Sequence, residues 1–221
     1  MAKLTFSDIK SNPEFTMYIE KGNEQLGVLG YTDHSEQHTL KVGGIASDIL
    51  LSLGYPAHQA GLAKIAGYIH DIGNMVNRHS HCSTGAMMAF SIFTKMGADP
   101  EDIATVVNAV GNHDEELGIA TSPVAAALII ADKTDVHRSR VRNEDIATFD
   151  IHDRVNYAVE TSKVIVNAEE KIISAHMCID TNICSVMDYF EIFLTRMLMC
   201  KRAANYLGTN FELWVNDSRL L

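Results

Sequence analysis

Residues 68–74 read Tyr-Ile-His-Asp-Ile-Gly-Asn, which places a histidine and an aspartate side by side within an apolar stretch. Upstream, Ile65 and Ala66 follow the three-four apolar spacing of a helix that Pro56 opens. His70 lies four residues after Ala66, so it continues the inward-facing stripe of that helix. The sequence therefore predicts a buried His-Asp pair at the end of a helix.

Four further segments have the periodicity or apolar character of helices. They cover residues 36–53, 81–96, 100–110 and 124–131. Asp99-Pro100 and Ser122-Pro123 are helix start signals, because the first residue can cap and proline suits the first turn. The last segment is apolar on every side, so we expect it to be buried. Five helices are thus predicted before residue 136.

The C-terminal part has a different pattern. Residues 164–166 and 171–179 resemble strands, 185–207 a long amphipathic helix that ends before Gly208, and 211–215 a further strand. We therefore predict a mainly α protein. Residues 1–145 would form a helical bundle, and residues 146–221 a small α+β appendage, ordered strand-strand-helix-strand, packed on it.

Composition limits the classes of function. The 221 residues are 47% hydrophobic and 21% charged, with a formal net charge of −10. This is the composition of a globular protein, and its charge argues against binding a nucleic acid polymer, which relies on Lys and Arg. The chain shows neither a leader pattern nor an apolar run long enough to span a membrane, so we expect a cytoplasmic protein without membrane contact.

Four other polar side chains share the inward phase of the predicted helices. They are His38, His81, His113 and Asp132. A single inward histidine is more often a hydrogen-bonded core residue than a ligand, and a buried carboxylate needs a partner. Because five helices each place such a residue near one end, we favour a shared divalent metal. His79, two residues from His81, is the alternative ligand there.

With these segments in order, the chain resembles the HD superfamily of metal-dependent phosphohydrolases. The resemblance lies within residues 34–142 and rests on His38, the His70-Asp71 pair and Asp132 in Ile-Ala-Asp-Lys-Thr-Asp, residues 130–135. It implies an HD-type helical core and hydrolysis of a phosphoester bond. Members with two metals carry two more histidines between the pair and the last aspartate, where His81 and His113 stand here.

The resemblance implies that Asp71 bridges two divalent metal ions and takes part in catalysis. A mixed imidazole and carboxylate set favours iron or manganese, with zinc or magnesium as alternatives. Metal coordination would lower the pKa of a water molecule, which then attacks phosphorus. Asp71 or Asp135 could relay the proton.

Two features of the sequence suggest the class of substrate: cations that follow the last aspartate, and the position of a Gly-Tyr-Pro motif. Lys133 and Arg138 follow the last aspartate and are candidates to bind substrate phosphate. Gly54-Tyr55-Pro56 precedes the His-Asp pair instead of following paired histidines, which argues against cyclic-dinucleotide cleavage. A nucleotide or related small phosphoester fits better.

The rival hypothesis is a catalytically silent sensor or regulatory module that binds a nucleotide or metal. Such a module is expected to lack a ligand, whereas all four core positions are filled here. The C-terminal appendage is a candidate for dimerisation of two identical chains or for ligand sensing.

Overall fold

The computed structural model describes residues 1–115 and 118–221. Its α-helices within those residues are α1 Phe6–Ser11, α2 Pro13–Val28, α3 Glu36–Ser52, α4 Ala57–Ile69, α5 His81–Lys95, α6 Pro100–Gly111, α7 Pro123–Lys133, α8 Ile151–Ala158 and α9 Val186–Tyr206. The strands are β1 Val159–Asn167, β2 Ile172–Ile179, β3 Asn210–Val215 and β4 Ser218–Arg219. The predicted mainly α class is confirmed.

Helices α3 to α7 occupy the five predicted segments. Two of the start signals act as expected: Asp99 accepts a hydrogen bond from the Glu101 N–H, and the Ser122 hydroxyl accepts one from the Ala125 N–H. Residues 124–131 of α7 are fully buried, as predicted, because α3, α4, α6 and α9 pack around this helix. The His-Asp pair therefore lies beside the most buried helix of the bundle.

The sequence analysis missed helices α1, α2 and α8. Helix α2 begins with the same kind of signal as α6, since Asn12 caps it and Pro13 occupies its first turn. Phe15 and Ile19 are buried on its inner side. The helix packs against the short 3-10 turn Ile72–Met75 that follows the His-Asp pair, so it covers the segment that we identified first.

Two pairs of glycines allow close backbone contacts near the His-Asp pair. A Cβ on Gly67 would lie 2.6 Å from the Cα of Gly43, so α3 and α4 touch where both lack side chains. A Cβ on Gly73 would overlap the carbonyl oxygen of His81, and Gly85 faces Gly73 across the same contact. The start of α5 can therefore approach Asp71 closely.

The C-terminal sheet has the order β1-β2-β3-β4. Strands β1 and β2 are antiparallel, while β2 and β3 are parallel, because α9 provides the crossover between them. This confirms the predicted strand-strand-helix-strand order, and the two-residue β4 is an addition beyond it. Buried apolar residues of the sheet and of α9 belong to the same core cluster as the bundle. The proposed boundary between residues 145 and 146 stays a prediction.

No helix in the described part of the chain has both the length and the apolar character needed to cross a membrane.

Candidate metal centre

The six predicted metal ligands converge on one buried position. They come from the ends of five helices or from the adjacent turns: His38 from α3, His70 and Asp71 from the end of α4, His81 from α5, His113 after α6 and Asp132 from α7. The four histidines are at most 3% exposed, and Asp71 is 7% exposed. Residues far apart in the sequence thus meet at one end of the bundle.

The Asp71 carboxylate divides the histidines into two groups. Its Oδ2 lies 3.2 Å from Nε2 of His70 and 3.9 Å from Nε2 of His38. Its Oδ1 lies 3.4 Å from Nε2 of His81 and 3.8 Å from Nε2 of His113. One carboxylate oxygen therefore faces each group.

Asp132 lies with the first group. Its Oδ1 is 3.6 Å from Nε2 of both His38 and His70, and its Oδ2 is 2.8 Å from Nζ of Lys133. Lys133 was predicted to bind substrate phosphate; here it pairs with a carboxylate of the cluster and lines the cavity next to it.

All four histidines turn the same ring atom toward the cluster, because the other ring nitrogen is held from behind. The Nδ1 atoms contact acceptor oxygens: Asp135 Oδ2 at 2.7 Å for His38, and the carbonyls of Gly67 at 2.8 Å for His70, Arg78 at 3.0 Å for His81 and Val110 at 2.6 Å for His113. Since these oxygens can only accept, each Nδ1 carries the proton. In the neutral ring the Nε2 lone pair is then free to bind a cation.

Two observations show that these residues fit a divalent metal. Nε2 of His81 and Nε2 of His113 lie 3.2 Å apart, so in the neutral rings two lone pairs face each other. Nε2 of His38 and of His70 are buried and have no hydrogen-bond partner among the described residues. A cation shared by such atoms removes both the repulsion and the unsatisfied acceptors.

The electrostatics favour bound cations. Burial alone would raise the carboxyl pKa values, but His70 beside Asp71 and Lys133 beside Asp132 outweigh it and hold both pKa values well below the usual range. Burial opposes protonation of His70, yet Asp71 and Asp132 raise its pKa to about 10. Burial lowers the pKa of His81 to about 4. The cluster thus holds ionised carboxylates and at least one histidine that resists a proton.

His34, which the sequence analysis did not select, also reaches the cluster. Its Nε2 lies 3.9 Å from Oδ2 of Asp71, and its Nδ1 contacts the Thr32 carbonyl at 2.7 Å. The signal in the sequence was its position four residues before His38. Ser35 is the residue at the cap position of α3.

Three other predicted residues lie away from the cluster. His79, the alternative to His81, is exposed. Nη2 of Arg138 lies 3.2 Å from Glu160, and Arg138 is absent from the described lining of the cavity, so the structure lends no support to its predicted contact with substrate phosphate. Asp135 contacts Nδ1 of His38, on the side of the ring away from Asp71, which suits a positioning residue rather than a proton relay.

A cavity of about 340 Å³ opens over the cluster. Its lining includes Asp71, His81, His113 and Asp132. Residues of α8 and α9 also line it, among them Asn156, Phe193 and Arg196. The cavity gives a small molecule access to the cluster.

The described side chains form three overlapping His/Asp groups that could hold a divalent metal, and two of these groups share Asp71. Residues 36–137 match the family model of the HD domain. The match covers a little under half of the chain, so the chain contains a segment similar to the HD domain. This confirms the resemblance inferred from the sequence.

Individual relatives are distant. An uncharacterised protein of Methanocaldococcus jannaschii is 26% identical over 163 residues, and the match covers 63% of this chain and 62% of that protein. Ribonuclease Y of Streptococcus sanguinis strain SK36 is 26% identical over 122 residues, which cover 54% of this chain and 20% of that protein. The chain thus spans less than two thirds of the length of either relative.

One structural neighbour is the crystal structure of a predicted HD superfamily hydrolase from an uncultured Thermotogales bacterium. It is 22% identical to this chain with a TM-score of 0.43, and the match covers 61% of this chain and 75% of the neighbour's chain.

Proposed function

We propose that this protein hydrolyses a phosphoester bond in a small phosphorylated substrate, most simply a nucleotide, with the help of two divalent metal ions. The observation that carries the proposal is the pair of facing Nε2 atoms of His81 and His113, 3.2 Å apart and adjacent to Asp71 Oδ1. A single metal ion held by His38, His70 and Asp132 would leave the lone pairs of His81 and His113 facing each other without a cation.

The residues divide into two ligand sets that share one aspartate. His38, His70 and Asp132 would hold one ion, His81 and His113 the other, and Asp71 would contribute an oxygen to each. Nitrogen and oxygen donors in this mixture favour iron or manganese, with zinc or magnesium as alternatives. When bound, such ions lower the pKa of coordinated water and offset the charge of phosphoryl oxygens.

The chain's own groups would then bind and orient the substrate. Lys133 has an ammonium group at the cavity, close enough to Asp132 to place a phosphate next to the cluster. Asp71 stays ionised at neutral pH because its pKa is held low, so it can accept a hydrogen bond from an attacking water and orient it. Asp71 is therefore the proposed catalytic residue.

A small substrate is supported by the cavity and by the charge of the chain. A volume of about 340 Å³ suits a molecule of nucleotide size. The net charge of −10 disfavours a long polyanion, although one relative is named a ribonuclease. An RNA oligonucleotide therefore belongs in the substrate panel.

The test is to purify the protein without chelators, measure its metal content, and assay phosphomonoesters, nucleotides, dinucleotides and an RNA oligonucleotide. We expect turnover of at least one small phosphoester, which chelation abolishes and manganese or iron restores. Replacing Asp71 by Ala should lower kcat by more than about 1,000-fold, because the loss of a bridging ligand removes several kcal/mol of transition-state stabilisation.

The matched control is Asp48→Ala, which removes an exposed carboxylate from α3 and should leave kcat unchanged. Wild-type protein that binds metal but turns over none of the panel would contradict the proposal and favour a regulatory module. Cleavage of the oligonucleotide alone would contradict the proposed substrate class.

A further inference from the structure

Residues outside the HD segment form part of the wall of the cavity over the cluster. The family match ends at residue 137, whereas Asp153 and Asn156 of α8 and Phe193 and Arg196 of α9 all line the cavity. These helices belong to the C-terminal part of the chain. A molecule that fills this cavity therefore contacts both the cluster and the C-terminal part.

Arg196 is the cation on that wall. Its Nε lies 2.6 Å from Oε1 of Glu115, but its N–H does not point at that oxygen, and the buried Nε has no hydrogen-bond partner among the described residues. The Phe193 ring lies beneath the guanidinium, 4.6 Å from ring centroid to Cζ. The group is thus held in place while part of its donor capacity is unused.

The other cations around the cavity contact residues of the HD segment or the backbone next to it. Lys133 pairs with Asp132 at 2.8 Å, and Arg140 donates to the backbone carbonyls of Asp33 and Asp135. Nη1 of Arg78 lies 3.3 Å from Oδ1 of Asn74 and 3.5 Å from Nε2 of His81. Arg196 differs from these cations because it lies on α9 and keeps a buried Nε donor without an acceptor among the described residues.

Glu115 connects Arg196 to the cluster. Its Oε1 lies 3.6 Å from Nζ of Lys133, which in turn contacts Asp132. Arg196 and Lys133 therefore share one carboxylate at the edge of the cluster. An anion that entered between them would replace Glu115 as their common partner.

We propose that Arg196 binds an anionic group of the substrate, and that α9 thereby helps to determine which phosphoesters are accepted. The inference rests on the proposed function for the identity of the substrate. A guanidinium offers two parallel N–H donors that match two phosphate oxygens, and such charge-assisted pairs are stronger than neutral hydrogen bonds. The Phe193 face limits the rotation of the guanidinium and so favours one orientation.

The experiment compares Arg196→Gln with the wild type in manganese-loaded protein, using inorganic phosphate as the probe in calorimetry. We expect the phosphate affinity to fall about 10- to 100-fold while metal content stays unchanged, because one charge-assisted contact is lost. On the best substrate of the panel, kcat/KM should fall by a similar factor, mainly through KM. The control Arg202→Gln removes an exposed arginine from the same helix and should change neither.

A second variant should change the phosphate affinity in the opposite direction. Glu115→Gln removes the carboxylate that competes with phosphate, so phosphate binding should tighten, and part of this gain should disappear when Arg196→Gln is added. Arg196→Lys tests the donor geometry in case the glutamine variant does not fold, and it should bind phosphate more weakly than the wild type.

Phosphate affinity equal to that of Arg202→Gln would overturn the inference, as would a loss of kcat without any change in KM or phosphate affinity. Because calorimetry needs no turnover, an inactive wild type would count against the proposed function alone.

Discussion

Nε2 of His81 and Nε2 of His113 lie 3.2 Å apart, and each ring has its Nδ1 bonded to a backbone carbonyl. Burial keeps the pKa of His81 near 4, so a proton is a poor bridge between the two nitrogens at neutral pH. Asp71 Oδ1 lies within 3.8 Å of both. This pair makes the second metal position testable separately from the first.

Replacing His113 by Ala should lower the metal content from about two ions per chain to about one, because the second position would keep only His81 and one oxygen of Asp71. Metal analysis of protein purified without chelators measures this. His79→Ala, the same change at an exposed histidine two residues from His81, should keep the wild-type metal content. Equal metal content in the two variants would argue against His113 as a ligand.

Asp135 should tune metal binding without touching the metal. It accepts a hydrogen bond from Nδ1 of His38 and lies 2.6 Å from Nζ of Lys41. Asp135→Asn should weaken manganese binding about 10- to 100-fold in a chelator competition, since an anionic partner orients the imidazole and increases its basicity. Asp48→Asn is the matched exposed control, and an unchanged affinity in Asp135→Asn would show that His38 needs no such partner.

Because α3 and α4 are in close contact, replacing glycine by alanine should have opposite effects on stability at two positions of α4. Gly67→Ala should lower the free energy of unfolding by about 1–3 kcal/mol, because the new methyl group meets the backbone of Gly43 at 2.6 Å. The methyl group added by Gly61→Ala would have no atom within 4 Å. This variant should therefore raise the free energy of unfolding by up to about 1 kcal/mol, because alanine favours a helix more than glycine does. Chemical denaturation of the metal-free proteins measures both, and equal effects would contradict the close contact.

Asp102 connects α6 to the N-terminal residues. It is 1% exposed and accepts hydrogen bonds from the Leu4 N–H at 2.9 Å, Lys3 at 3.1 Å and His58 at 2.8 Å. Asp102→Ala should lower the free energy of unfolding by about 1–3 kcal/mol, because the buried Leu4 N–H loses its acceptor. Asp8→Ala on α1 is an exposed control.

The effect of Asp102 should depend on pH. Burial opposes ionisation of Asp102, but the contacts with His58, Leu4 and Lys3 outweigh it, so its pKa lies below the ordinary value. A carboxyl pKa that is lower in the folded state stabilises the protein above the unfolded pKa of about 4 and ceases to do so as pH falls toward the folded value. The difference in unfolding free energy between wild type and Asp102→Asn should therefore shrink below about pH 4. A difference independent of pH would mean that the charge of Asp102 contributes nothing.

Much of the bundle could be predicted because its signals are local. Caps at Asp99 and Ser122, three-four apolar spacing and the all-apolar α7 depend on residues within a few positions of each other. Helices α1, α2 and α8 were missed although Asn12-Pro13 is the same kind of start signal. The N-terminal region was considered only for a leader pattern, and its helical periodicity was overlooked.

The sequence alone determined which side chains face inward, because helical phase is a property of a single segment. That was sufficient to select His38, His70, Asp71, His81, His113 and Asp132. Only the tertiary structure decided which atoms meet, since this depends on how separate helices cross. It placed His81 in the cluster and left His79 exposed, brought His34 to Asp71, and put Arg196 of α9 at the cavity where Arg138 had been expected.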